Sequence, residues 1–268
     1  MGNTRSMFSY ILNNDSDKVA EILGSEPQLV HQRNGDGWTP LIMAAYYGHD
    51  GLVILLLRCG ARLEDVCVGG TALMAAVEGN RVSTSELLLQ SGADPNHVRQ
   101  GDGFSSLLIA IQNRSLPLVS LLLEHGASVT LAKSSNGFTP LHSAAVLGLS
   151  EIAALLLRHQ ADVRVKTNIG ATSLHLASSE GHVDIARLLL ESGASWDDRH
   201  IQGGAPIHSA AQRNHTEVVR LLVTEAGCPV DLVSWHHHHH CNNDIMMVIY
   251  TEEWPGPDST DACCSVWM

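Results

Sequence analysis

The chain has 268 residues, of which 44% are hydrophobic and 16% are charged, and its net charge is −12 at pH 7. This length corresponds to one or two globular domains. The acidic balance and the lack of a basic stripe exclude nucleic acid and anionic membrane surfaces as expected partners, whereas a basic or neutral protein surface suits the charge.

The first six residues match the pattern for N-myristoylation. Removal of Met1 would expose Gly2, and Ser6 stands at the required place. The other interpretation is an ordinary flexible start, because one acyl chain binds a membrane only marginally and few basic residues lie nearby. We therefore define residues 1–6 as a flexible N-terminus with a candidate lipidation site at Gly2, and we expect membrane contact only if Gly2 is acylated.

No other segment indicates targeting or secretion. Met7 to Leu12 is too short to be the apolar part of a signal peptide, and no apolar run reaches membrane-spanning length. The six cysteines show no paired CxxC spacing, so reduced thiols are expected. These features predict a cytoplasmic or nuclear protein, associated with a membrane only through Gly2.

A tetrapeptide recurs along the chain at spacings of 32, 34, 34, 33 and 33 residues. Its six copies are Thr39-Pro40-Leu41-Ile42, Thr71-Ala72-Leu73-Met74, Ser105-Ser106-Leu107-Leu108, Thr139-Pro140-Leu141-His142, Thr172-Ser173-Leu174-His175 and Ala205-Pro206-Ile207-His208. A fixed period of this size is typical of a repeat architecture, in which each unit is one supersecondary element.

Each repeat contains the same parts in the same order. Paired small residues such as Ala44-Ala45 mark a first helix, and Gly48 or Asn80 marks the turn that ends it, because these residues accept the left-handed conformation. A leucine row such as Leu121-Leu122-Leu123 marks a second helix. One helix pair cannot bury such a row alone, so the units must stack on one another.

These residues resemble the ankyrin-repeat family over residues 5–231. The resemblance implies an all-α solenoid of about seven helix-turn-helix units with short β-hairpin fingers, the first unit being a degenerate repeat over Met7 to Leu23. It also implies that the repeat threonines and histidines, among them His142 and His175, form hydrogen bonds within and between repeats. Because these histidines recur at the repeat spacing and do not converge on one site, they are not expected to form a catalytic cluster.

The resemblance places partner binding at the hairpin tips and at the two residues after the paired small residues. The candidate partner-binding residues are Asp36, Trp38, Tyr46, Tyr47, Glu78, Asp102, Phe104, Gln112, Asn113 and Phe138. Aromatic residues are only 4% of the chain, yet five of these ten positions are aromatic, and aromatic side chains are favoured interface anchors. The carboxylates in this set are expected to meet basic residues of the partner.

A structural role remains open for two of the aromatic residues. Phe104 and Phe138 directly precede a repeat tetrapeptide, so their rings either contact a partner or pack on the next finger and support it.

After Asp231 the repeat pattern stops, and residues 232–268 form a separate tail. Its run His236 to His240 followed by Cys241 lacks the fixed ligand spacing of a structural metal site, so no metal is expected. The apolar segment Ile245 to Tyr250 is expected to cover the last repeat, and the rest to be disordered. An alternative or mis-spliced end that replaces further repeats is the other interpretation.

No catalytic constellation emerges from the sequence. Gly101-Asp102-Gly103 and Gly203-Gly204 fall at repeat turns and lack the lysine and hydroxyl residue of a phosphate-binding loop. We therefore expect a monomeric, non-catalytic adaptor or scaffold without a cofactor. The alternative is a myristoylated, membrane-recruited adaptor, such as the substrate-recognition part of a ubiquitin-ligase or kinase assembly.

Overall fold

The computed structural model describes residues 3–229, with side chains from Met7 onward. Within this range the chain forms fourteen α-helices and one 3-10 helix, Pro27–His31. The α-helices are α1 Asn3–Leu12, α2 Ser16–Ser25, α3 Pro40–Tyr47, α4 Asp50–Arg58, α5 Ala72–Glu78, α6 Val82–Gln90, α7 Ser106–Gln112, α8 Leu116–Glu124, α9 Pro140–Leu147, α10 Ser150–Arg158, α11 Ser173–Glu180, α12 Val183–Glu191, α13 Pro206–Gln212 and α14 Thr216–Thr224. They form seven helix pairs in chain order, so the predicted all-α architecture of about seven helix-turn-helix units is confirmed.

The N-terminal boundary differs from the expected one. Helix α1 begins at Asn3, so part of the segment predicted to be flexible, residues 1–6, is helical. The expected first repeat over Met7 to Leu23 followed from the repeat spacing, and within it Met7 and Ile11 are fully buried.

Several first helices start at a threonine cap and end at a glycine or asparagine, as predicted. Thr39 Oγ1 accepts a hydrogen bond from the amide of Ile42 at 3.3 Å, which satisfies a free donor at the start of α3. Gly48 ends α3 with a φ of 79°. Gly148 ends α9 in the same way with a φ of 72°. After α5 and α7 the left-handed residue follows one position later, and it is Asn80 (φ 56°) and Arg114 (φ 55°).

The second helices supply the core. The middle leucine of each row has no solvent exposure, whereas its neighbours are more exposed in several repeats. These central residues are Leu56, Leu88, Leu122, Leu156, Leu189 and Leu222. One buried leucine in each of repeats two to seven means that each repeat is stabilised mainly by its sequence neighbours.

The chain divides into two compact units, Met1–Ser173 and Leu174–Met268. In the first unit α1, α3, α5, α7 and α9 pack on one another in order, and α2, α4, α6, α8 and α10 form a second layer in the same order. In the second unit α14 packs on both α12 and α13.

The fingers between repeats are tight turns. In the described part of the chain, β pairing is limited to two isolated antiparallel bridges, Cys67 with Gly70 and Val98 with Ser105. Gly37 and Gly103 have φ values of 79° and 75°, which only glycine adopts without strain.

His142 has a structural role. Thr139 N donates to His142 Nδ1 at 3.1 Å, so Nε2 must carry the ring proton, and it donates to the carbonyl oxygen of Val165 at 3.1 Å. The imidazole therefore links its own repeat to the next finger. Burial lowers the pKa of His142 to about 4, so the ring is neutral at physiological pH.

Candidate interaction surface

Repeat two consists of helices α3 and α4 and the finger before them. Four of its rings form a continuous row, which we call the aromatic cluster: Trp38, Tyr46, Tyr47 and His49. The ring centroids of Trp38 and Tyr46 are 5.2 Å apart, and those of Tyr46 and Tyr47 are 5.3 Å apart, both in edge-to-face geometry. His49 stacks on Tyr47 at 5.9 Å. Tyr47 is 36% exposed, and the other three residues are half-buried. The cluster therefore presents aromatic surface to solvent while its members support one another.

Helix α3 and the following repeat fix the position of the tyrosines. Leu41, Ala44 and Ala45 fill the inner side of α3, which leaves Tyr46 and Tyr47 at its outer end. The guanidinium Nε of Arg81 donates to the carbonyl oxygen of Tyr46 at 3.2 Å. The cluster is thus held by its own helix and by the repeat that follows.

Close approach of Gly79 to the same carbonyl adds to this constraint. A Cβ atom added at Gly79 would lie only 2.3 Å from the carbonyl oxygen of Tyr46, a distance that no side chain can tolerate without a shift of the backbone. The absence of a side chain at Gly79 therefore sets the distance between α3 and α5 at the cluster.

Finger two, the turn at residues 33–38 before α3, carries Asp36 and Trp38 at the edge of the cluster. Asn34 Oδ1 accepts hydrogen bonds from Asp36 N at 3.0 Å and from Trp38 N at 2.9 Å, which closes the turn. Arg33 Nη1 donates to the carbonyl oxygens of Gly37 at 2.9 Å and Val66 at 2.6 Å. Asp36 itself is exposed.

Two of the predicted carboxylates lie around Arg99. Arg99 Nη1 is 2.7 Å from Glu78 Oε1, and Arg99 Nη2 is 2.7 Å from Asp102 Oδ2. The hydrogen bonds from Arg99 also lower the pKa of Asp102. Glu78 and Asp102 were expected to meet basic residues of a partner, but the structure gives both an intramolecular partner, because Arg99 reaches from finger four to repeat three.

The ring of Phe104 contacts two cations. The guanidinium carbon of Arg99 is 5.3 Å from the ring centroid, and the ammonium of Lys133 is 4.1 Å from it. Burial of the ammonium lowers the pKa of Lys133. Phe104 thus joins finger four to finger five, which favours the supporting role that the sequence left open.

The remaining predicted residues lie in different environments. Asn113 Nδ2 donates to the carbonyl oxygen of Val77 at 2.7 Å and so ties repeat four to repeat three, whereas Gln112 is exposed. The ring of Phe138 packs on His142 with centroids 5.8 Å apart, which again favours a supporting role.

The structure thus brings six of the predicted residues together in two groups. Trp38, Tyr46 and Tyr47 lie in the aromatic cluster, and Glu78, Asp102 and Phe104 lie around Arg99. Sequence analysis missed Arg99, although an arginine three residues before Asp102 in the same finger was a readable signal. Gly2 and the tail, residues 232–268 with His236 to His240, lie outside the described residues.

Residues 3–229 contain no group of three or more His, Cys, Asp or Glu side chains that could hold a metal ion. In the same range no helix is long and apolar enough to cross a membrane.

Comparisons with known proteins agree with this architecture. The sequence family described as ankyrin repeats (3 copies) matches residues 7–99, 86–167 and 159–234. The ankyrin-repeat domain of Bcl-3, a member of the IkappaB protein family, superposes with a TM-score of 0.73 at 25% sequence identity, covering 80% of this chain and 97% of that domain.

Two curated relatives match a shorter part of the chain. Ankyrin repeat and SAM domain-containing protein 6 of Mus musculus is 42% identical over 78 residues, which are 28% of this chain and 9% of the relative. The Rattus norvegicus protein of the same name is 38% identical over 90 residues, which are 33% of this chain and 10% of the relative. The matches therefore span about a tenth of those proteins. Because the family matches nearly the whole described range and the helix pairs follow its pattern, the chain belongs to the ankyrin-repeat family.

Proposed function

We propose that the chain is a non-catalytic adaptor or scaffold that binds a protein partner through repeats two to five, with Trp38, Tyr46 and Tyr47 as anchors. The ankyrin-repeat fold is a general protein-interaction module, and the single observation that supports this site is the partly exposed aromatic cluster. Large aromatic side chains at a surface typically provide most of the binding energy of an interface.

The rigidity of the cluster supports this assignment. The rings contact one another, and Arg81 and Gly79 fix the carbonyl end of α3, so little side-chain freedom remains to be lost on binding. Preorganised groups bind more tightly because ordering them costs less free energy.

The other predicted site residues receive different roles in the proposal. Arg99 with Glu78, Asp102 and Phe104 keeps fingers three to five in place, while Asn113 and Phe138 hold adjacent repeats together. Asp36 and the exposed Gln112 form the polar rim of the contact. Rim groups mainly affect the association rate and its salt dependence.

The experiment is a comparison of proximity-labelled proteins between the wild-type chain, Tyr46→Ala with Tyr47→Ala, and Ile54→Ala, followed by affinity measurement with the purified partner. Ile54 is the matched control because it lies on α4 of the same repeat with 38% exposure, close to that of Tyr47. We expect roughly a 30-fold loss of affinity for the tyrosine variant, equivalent to about 2 kcal/mol, and little change for Ile54→Ala.

A far-end variant completes the design. Gln212→Ala with Arg213→Ala changes the corresponding positions of repeat seven. If that pair weakens binding and the tyrosine pair does not, the contact lies in the C-terminal repeats and the proposed site is wrong.

A second candidate function is a membrane-recruited adaptor, and the sequence pattern from Gly2 to Ser6 favours it. Intact-mass analysis of protein from its native cell tests this candidate. A myristoyl group on Gly2 that is lost in Gly2→Ala supports it, and an unmodified Gly2 or a retained Met1 removes it.

A further inference from the structure

Two fingers of the chain share the hexapeptide pattern Arg-(Asn or Gln)-Gly-Asp-Gly-aromatic. It covers residues 33–38 in finger two and residues 99–104 in finger four. The second glycine is left-handed in both, with φ of 79° at Gly37 and 75° at Gly103. The turns close differently, because Asn34 N donates to the carbonyl oxygen of Trp38 in finger two, whereas Arg99 N donates to the carbonyl oxygen of Phe104 in finger four. The two fingers therefore share the sequence of the carboxylate and the ring but not the whole backbone turn.

In finger four this pattern binds an arginine. The guanidinium of Arg99 donates through Nε to Asp102 Oδ1 at 3.1 Å and through Nη2 to Asp102 Oδ2 at 2.7 Å. Its carbon atom also lies 5.3 Å from the centroid of Phe104. A paired carboxylate contact combined with a ring contact is the recognition that suits the planar guanidinium.

In finger two the corresponding arginine, Arg33, binds backbone carbonyl oxygens and not the carboxylate of its own turn. Arg33 donates to the carbonyl oxygens of Gly37 and Val66 rather than to Asp36. Among residues 7–229, whose side chains the structure describes, no cationic side chain forms an ion pair with Asp36 or lies over the ring of Trp38.

The residue after the arginine explains this difference. Asn34 Oδ1 accepts from the amides of Asp36 and Trp38, whereas in finger four Asp102 Oδ1 itself accepts from the amide of Phe104 at 3.2 Å. Asparagine closes such turns with its own side chain, and the longer glutamine at position 100 does not form this contact here. The carboxylate of Asp36 is thereby left uncommitted, two residues before Trp38, whose ring contacts that of Tyr46.

We infer that Asp36, Trp38 and Tyr46 form a binding site for an arginine side chain of the protein partner, in the way that finger four holds Arg99. This inference rests on the proposed function, since it names the partner group that the aromatic cluster receives. Charge complementarity supports it, because the chain has a net charge of −12 and Asp36 is exposed. Arginine fits better than lysine, because lysine is a point charge that cannot make the paired contact.

The test uses random linear peptides displayed on phage and selected on the full chain. Selected peptides are synthesised with each arginine unchanged or replaced by citrulline, which keeps the shape but removes the charge. Their binding to the wild-type chain, Asp36→Asn, Tyr46→Ala with Tyr47→Ala, and the control Glu151→Gln is measured by fluorescence anisotropy. Circular dichroism melting confirms that each variant is folded.

We expect peptides that depend on the two tyrosines to contain an arginine whose replacement by citrulline weakens binding about tenfold. Asp36→Asn should weaken binding of the arginine peptide by a similar factor but leave binding of the citrulline peptide unchanged. Glu151→Gln should affect the binding of neither peptide. Tyrosine-dependent peptides that are insensitive to citrulline or to Asp36→Asn would overturn the arginine site while leaving the proposed function intact. A selection without any tyrosine-dependent peptide would overturn both.

Discussion

At the scale of single residues, His142 shows how one side chain serves two repeats. Ile42, Met74 and Leu108 occupy the corresponding position in repeats two to four, so an apolar residue fits the same site. Repeat five instead uses an imidazole that accepts from Thr139 N and donates to Val165 O. The contact requires the neutral ring, because a protonated Nδ1 could not accept the hydrogen bond.

This requirement predicts a pH dependence of folding. The pKa of His142 is about 4 in the folded chain, below the value near 6.5 of an unfolded chain. As the pH falls through 6.5, only the unfolded state gains a proton, so stability present above about pH 6.5 is lost towards pH 4. Between pH 7 and pH 5 this group should remove about 2 kcal/mol from the free energy of unfolding.

Urea denaturation of the wild-type chain and His142→Leu at both pH values measures this loss. The leucine variant retains every other histidine, so the difference between the two pH dependences isolates His142. Equal pH dependences in the two proteins would show that the folded imidazole is not kept neutral by burial.

At the scale of elements, the repeats were predictable but the contacts between fingers were not. The period, the caps and the leucine rows specify helix pairs because they repeat, and Leu56 and Leu122 are buried as their rows required. Arg33 and Arg99 occupy the same place in identical patterns yet bind different groups. That choice depends on side-chain rotamers and neighbouring turns, which periodicity does not encode.

The aromatic residues show the same limit. Their outward positions followed from the repeat phase. Phe104, however, contacts Arg99 and Lys133, whereas the ring of Tyr46 packs on Trp38 and Tyr47 of its own repeat. Sequence analysis could place both residues on the same surface. Only the structure separates a ring that joins two fingers from rings that remain available to a partner.

Two glycines give opposite predictions for the same substitution. Gly79→Ala should destabilise the chain by about 1–3 kcal/mol, because the new Cβ would lie 2.3 Å from the carbonyl oxygen of Tyr46. Gly51→Ala in α4 should stabilise it by about 0.5–1 kcal/mol, because a Cβ there comes no closer than 4.0 Å to Ser16 Oγ and alanine favours helix. Chemical denaturation measures both, and a stabilising Gly79→Ala would contradict the close contact at α3.

At the scale of the whole molecule, stability is expected to accumulate repeat by repeat rather than around one centre. Helix α8 packs on α6 and α10, so a defect in α8 should weaken the repeats on both sides of it. Leu122→Ala should therefore cost about 2–5 kcal/mol of unfolding free energy, as for other buried leucines. The adjacent Leu121 is only half-buried, so Leu121→Ala is the control and should cost clearly less. Similar losses for both variants in urea denaturation would contradict the assignment of Leu122 to the core.

Hydrogen–deuterium exchange of the full chain, with and without a purified partner, tests the central claim most directly. The proposed contact predicts that partner binding slows exchange in peptides covering residues 33–49, which include Asp36 and the aromatic cluster, with little change along α4. Slowed exchange confined to residues 200–224, with none in 33–49, would contradict the account and move the partner to the C-terminal repeats.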